Sequence, residues 1–215
     1  MMLAKFTRWG GLALLIGGAI SAIALILHPD EAAHPMALLD PRWGVIHALL
    51  LVSVLFTLLG LPSLYLRQAE QSGWLGLIGF ALHFVGTTLF GALFVLEAWV
   101  MPVLAADAAG QKFLDDAGPL LGGGLGLFLL STAILASLGF ILNGAAILRA
   151  GVFPRWLGPL IMIGGPLVIF APPIPHLFSI IGGIAFGIAY MWIGYLLWTN
   201  GSEPARQFQQ QMAHS

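Results

Sequence analysis

Six long apolar runs, parted by short polar connections, take up most of this 215-residue chain. They cover residues 9–28, 43–66, 74–102, 120–148, 156–171 and 176–198. A membrane-spanning helix needs about 20 consecutive apolar residues. The pattern therefore predicts an all-α, polytopic membrane bundle of six transmembrane helices. It forms one domain over 1–198, with a polar tail at 199–215. The chain is 59% hydrophobic and 8% charged, with a mean hydropathy of +0.96. Soluble domains carry about 25% charged residues, so this inventory cannot build a water-facing surface. The main predicted partner is the lipid bilayer.

Orientation follows from Lys and Arg, which favour the cytoplasmic side. With the N-terminus inside, Lys5, Arg8, Arg67, Arg149, Arg155 and Arg206 are cytoplasmic, and only Arg42 and Lys112 are outside. Both termini are therefore expected in the cytoplasm, with the bacterial inner membrane as the location. Trp9, Trp74 and Trp156 are expected at the inner interface, and Trp43 and Trp99 at the outer one. The first run is longer than the 7–15-residue core of a signal peptide, and is read as a retained span. The fifth run is short and contains Pro159 and Pro166, so a kinked, tilted or re-entrant helix is expected there. The 105–118 connection is expected to form a short interfacial helix.

Smaller patterns qualify the packing. Gly122 with Gly126, and Gly183 with Gly187, have the spacing of close helix crossings. Leu66-Arg67 with Trp74-Leu75-Gly76 recurs as Leu148-Arg149 with Trp156-Leu157-Gly158. Such a repeat fits a duplicated hairpin, or the same basic-aromatic anchor used twice.

Glu97 is the one formally charged residue inside the runs. Gly76, His83, Phe90 and Glu97 share a seven-residue spacing, hence one helical stripe. Gly79 and Gly86 flank it, which turns the stripe inward. Helical rise puts Glu97 about 35 Å from Trp74, near the outer interface, and His83 about 14 Å from it, near the midplane. His47 lies about 6 Å inside the second helix. His28 ends the first helix and His176 opens the sixth.

His28, His47, Glu97 and His176 are thus expected to converge in one outer layer. Three imidazoles and a carboxylate suit zinc, copper or iron, or a proton or ligand pocket. His47 and His83 are the deepest candidates for holding a haem. The competing reading of Glu97 is an acid reaching water, or paired with Arg42 or Lys112. That of His83 is a hydrogen bond within the bundle, and Asn143 is expected to bond between helices.

There is no Cys, so thiolate metal sites and disulfides are excluded. No Walker loop, G-x-S-x-G elbow or H-E-x-x-H pair occurs, and a net charge of -1 gives no pull toward nucleic acid.

The order His28-Pro29, Trp43-x-x-x-His47, Leu96-Glu97-Ala98 with Pro102 beyond, Arg149-x-Gly151 and Pro154-Arg155-Trp156 resembles a loose group of uncharacterised bacterial six-helix membrane proteins. The resemblance implies a six-helix membrane fold and adds no catalytic residue. Three functions remain open. They are a metal- or ligand-binding membrane protein, an accessory subunit or homo-oligomer within a membrane complex, and a small transporter or membrane enzyme using the same pocket.

Overall fold

The structure is a computed structural model that describes residues 2–33, 36–115, 117–170 and 175–200. Among these residues it is all helical, without strands. The helices are α1 (Met2–Ile26), α2 (Trp43–Val95), α3 (Met101–Ala105), α4 (Ala108–Leu114), α5 (Gly124–Ala150), α6 (Leu157–Ile169) and α7 (His176–Asn200). Four helices are long and apolar enough to cross a membrane: Met2–Ile26, Trp43–Ala105, Gly124–Ala150 and His176–Thr199. The tail expected from 199 falls, from residue 201 on, outside the described residues.

The second of these is 63 residues long, far more than the roughly 20 that span a bilayer. It folds back on itself at Gly73, whose φ of 58° and ψ of -143° are not helical. Left-handed φ costs an L side chain energy that Gly avoids. The two arms of α2, 43–72 and 74–95, then run antiparallel. Tyr65 stacks on Phe80, Gly91 meets Val54 and Trp43 reaches Glu97. The helix continues past the expected end at Leu66. Residues 67–72 contain no Pro or Gly to stop it, so Gln68 and Ser72 belong to the helix and are buried.

Close crossings are made by glycine. Gly11 and Gly18 of α1 face Gly194 and Gly187 of α7, each against the other's backbone carbonyl. Gly183 abuts Leu25, so the expected Gly183–Gly187 crossing is present. Gly122 and Gly126 instead face the backbone of Ala117 to Leu121 in their own turn. They make no helix crossing, because the chain is not yet helical at Gly122. Gly79 and Gly86 of α2 pack on α5 at Leu142–Asn143 and Ala136, and Gly139 of α5 packs on the backbone at His83. The inward turn of the His83 stripe follows from these contacts.

α5 ends at Gly151, in left-handed conformation with its N–H on the Ile147 carbonyl, a common helix stop. α6 has 13 residues, about 20 Å of helix. α4 supplies the short helix expected in the 105–118 connection.

Candidate functional site

Proline shapes the end of the bundle where the predicted layer lies. Pro102 has no N–H for the Ala98 carbonyl, and its ring crowds that carbonyl. The chain widens there into a π-turn, Leu96–Val100, in which the Met101 N–H bonds to the Leu96 carbonyl. π-turns are frequent at functional sites. The Glu97 carbonyl accepts the Trp43 indole N–H at 2.9 Å. This ties the π-turn to the start of α2. On the other side Pro29 follows His28, and a residue before proline is steered out of helical conformation. α1 therefore stops at Ile26, and His28 turns into the bundle, 8% exposed.

His28, His47 and Glu97 meet there. His28 Nε2 lies 3.2 Å from His47 Nε2, and His47 Nε2 lies 3.1 Å from Glu97 Oε2. His28 Nδ1 lies 2.8 Å from the Pro29 carbonyl, and His47 Nδ1 is 2.8 Å from the Trp43 carbonyl. A carbonyl only accepts, so each Nδ1 carries the proton and donates it. The 3.1 and 3.2 Å separations are direct hydrogen-bond distances, so a proton on His47 Nε2 serves the Glu97 carboxylate and faces the His28 Nε2 lone pair.

Trp43 completes the frame. Its indole stacks on the His47 ring at 4.4 Å between centroids and meets the His28 ring edge-on at 5.3 Å. It is 3% exposed. The belt position expected for Trp43 is corrected to a buried one, since three partners hold it inside. Trp99, Trp9, Trp74 and Trp156 are exposed, as belt residues would be.

His176 stands at the margin. Its ring centroid is 6.2 Å from that of His28, and its Nδ1 lies 3.5 Å from the Ser179 hydroxyl. The fourth member of the expected set is close by but outside the hydrogen-bonded group. Among the described residues, no three His, Asp or Glu side chains form a group able to hold a metal ion. Nothing in the geometry therefore supports the zinc, copper or iron reading.

Glu31 is a member that sequence reasoning passed over. The Asp30 carboxylate accepts the Ala32 N–H at 3.0 Å and shapes the short turn Glu31–Ala33. Glu31 Oε1 comes within 3.8 Å of His28 Nδ1. Burial, then the negative charge of Glu97, pushes the Glu31 carboxyl up to about 7, with His47 opposing and Asp30 adding to the rise. Burial, then His47, holds His28 down at about 4, against the pull of the Pro29 carbonyl and with a further push from His176. The available signal was the i, i+3 spacing from His28 in a connection too short to leave the site.

Arg42 does not pair with Glu97. It is held by Asp40, at 2.7 Å. Lys112 lies in the last turn of α4. A cavity of about 70 Å³ opens beside the cluster and is lined by His28, Glu31, His47 and Glu97 among others.

His83 belongs to a separate group. The Asn143 amide donates to His83 Nδ1 at 2.9 Å, so His83 Nε2 carries the proton and donates to the Tyr190 hydroxyl at 3.2 Å. The Gln68 amide donates to the Asn143 carbonyl oxygen at 3.5 Å. This directed chain joins α2, α5 and α7, and it realises the interhelical bond expected of Asn143. His47 and His83, the pair considered for haem, are thus committed to different hydrogen-bond groups.

No family model, curated protein or solved structure matches the chain.

Proposed function

We propose that this chain is an integral membrane protein with six spans and both termini cytoplasmic, the two arms of α2 and the short α6 counting as three of the six. In the bacterial inner membrane its outer face then carries a binding site for a hydrogen-bonding cation, built from His28, His47 and Glu97 with Glu31 at the rim. One observation carries the reading: His28, His47, Glu97 and Glu31 all line one cavity of about 70 Å³. Within the cluster, acceptors at 3.1 and 3.2 Å repel unless a proton lies between them. A proton on His47 Nε2 meets that need, and the remaining lone pairs of the carboxylates face the cavity, where the three donors of an ammonium group can reach them.

Two nearby carboxylates, Glu31 and Glu97, favour a positive guest. An ammonium group is preferred to a metal ion because, among the described residues, no three His, Asp or Glu side chains form a group able to hold one. The test is calorimetric titration of the detergent-solubilised chain with methylammonium and, separately, with Zn²⁺. Methylammonium is expected to bind at one site and to lose that binding in Glu97→Gln and His47→Ala. Equal binding by wild type and both variants, or none at all, overturns the reading. Tight one-to-one Zn²⁺ binding without methylammonium binding would assign the site to a metal instead.

A further inference from the structure

A second cavity lies directly beneath the first. It measures about 60 Å³, and Leu50, Phe90, Phe94, Val168 and Ile169 wall both spaces. Below these shared walls it is lined by Phe140 and Phe186, which pack on His83 at 4.2 Å and on Tyr190 at 4.4 Å. The chamber thus runs from the His/Glu cluster down to the His83 layer.

The chamber is aromatic and apolar apart from four hydroxyl side chains, Ser21, Ser53, Thr57 and Thr87. Ser53 donates to the Gly17 carbonyl at 2.9 Å. The hydroxyls of Thr57 and Thr87 have no partner, although these residues are only 1% and 6% exposed. Buried polar atoms are nearly always paired, and an orphan calls for a reason. A guest in the chamber that carries a polar atom supplies one.

Each cavity, at about 60 and 70 Å³, is smaller than the roughly 150 Å³ apolar cavity known to take a benzene ring, and only as one joined space, half of it polar, do they approach it. Their chemistry is divided: acceptors and carboxylates at the top, aromatic walls below, and two free hydroxyls on the side.

We infer that the occupant of this site is a small aryl-alkyl amine, its ammonium group among His28, His47 and Glu97 and its ring in the Phe-walled chamber. The inference rests on the cation reading above and adds the body of the ligand to its head. The ammonium sits in the upper cavity and donates to the Glu97 and Glu31 carboxylates that line it. The ring sits among Phe90, Phe94, Phe140 and Phe186, where offset and edge-on aromatic contacts add to its burial. A ring hydroxyl would find Thr57 or Thr87.

The probes are methylammonium, phenethylamine and 2-phenylethanol, titrated into the full chain in detergent. Phenethylamine is expected to bind about a hundredfold tighter than methylammonium, the worth of taking a phenyl ring out of water. It is expected to lose binding in Glu97→Gln, and 2-phenylethanol is expected to bind far more weakly. Thr87→Phe, which fills the lower cavity alone, is expected to bring phenethylamine down to the methylammonium level while leaving methylammonium binding intact. Ser21→Phe, also in the lower cavity alone, serves the same purpose if the first variant fails to fold.

Phenethylamine no tighter than methylammonium overturns the aryl-alkyl amine and leaves the cation site standing. So does an affinity for phenethylamine unchanged by both filling variants. Loss of methylammonium binding from the wild type would remove the head-group site itself. Binding of 2-phenylethanol as tight as phenethylamine would show that the chamber takes rings without the cation, and would equally overturn the proposal.

Discussion

Two backbone carbonyls decide the chemistry of the cluster. Because Pro29 and Trp43 take the Nδ1 protons, the Nε2 atoms of His28 and His47 can only face inward. Trp43 has a double part here, as a carbonyl acceptor for His47 and as an indole donor to Glu97. Trp43→Phe keeps the stack and loses the donor. It is expected to destabilise the fold by about 1 kcal/mol and to loosen the π-turn, read as a lower melting temperature with weaker methylammonium binding.

Glu31 gives a pH test with a definite sign. Its folded pKa of about 7 lies above the ordinary value of 4.5. The native state therefore holds more protons than the unfolded state between those values, and stability falls as pH rises through that window. His28, lowered from 6.5 to about 4, contributes the opposite slope between those two values. Comparing wild type with Glu31→Gln cancels the His28 contribution. The variant is expected to gain stability relative to wild type from about pH 4.5 to about pH 7, with a constant difference above. Melting curves across that range check it, and a pH-independent difference would contradict it.

At the scale of elements, glycine has two different uses that substitution separates. A Cβ at Gly73 meets nothing within 4 Å, so Gly73→Ala strains only the backbone. A cost of about 1–2 kcal/mol is expected. Gly18 sits against the Gly187 carbonyl and the Met191 backbone, so Gly18→Leu must push α1 from α7. This change is expected to cost more than Gly73→Ala, about 3 kcal/mol or above. Thermal unfolding in detergent ranks the two.

Much at this scale could be read from the sequence. The seven-residue stripe through His83 and Glu97 turned inward as its flanking glycines required. The rise per residue brought His28, His47 and Glu97 to one level from three parts of the chain. Glu31 and Trp43 escaped because their positions depend on short turns set by Asp30 and Pro102, which have no periodicity. Gln68 escaped because a charged, Gln-rich stretch resembles a connection until the break is seen at Gly73. The chamber hydroxyls escaped because lone Ser and Thr residues in an apolar run look alike on every face.

At the scale of the whole molecule, an all-helical bundle with four helices long and apolar enough to cross a membrane carries one polar end and one aromatic chamber, with a separate His83–Asn143–Tyr190 bond group beneath. The absence of cysteine makes its orientation directly measurable. A cysteine placed at Lys112 is expected to react with a membrane-impermeant maleimide applied to intact cells, and one at Arg67 only after the membrane is opened. The reverse result would invert the topology and move the cluster to the cytoplasmic face.

The most direct test of the central claim is ¹⁵N nuclear magnetic resonance of the histidine rings in bilayers, assigned by single His variants. With methylammonium added, His28 and His47 are expected to show a protonated Nδ1 and Nε2 signals that shift as the ammonium binds. A bare Nδ1 on either ring, or Nε2 signals that ignore methylammonium, would contradict it.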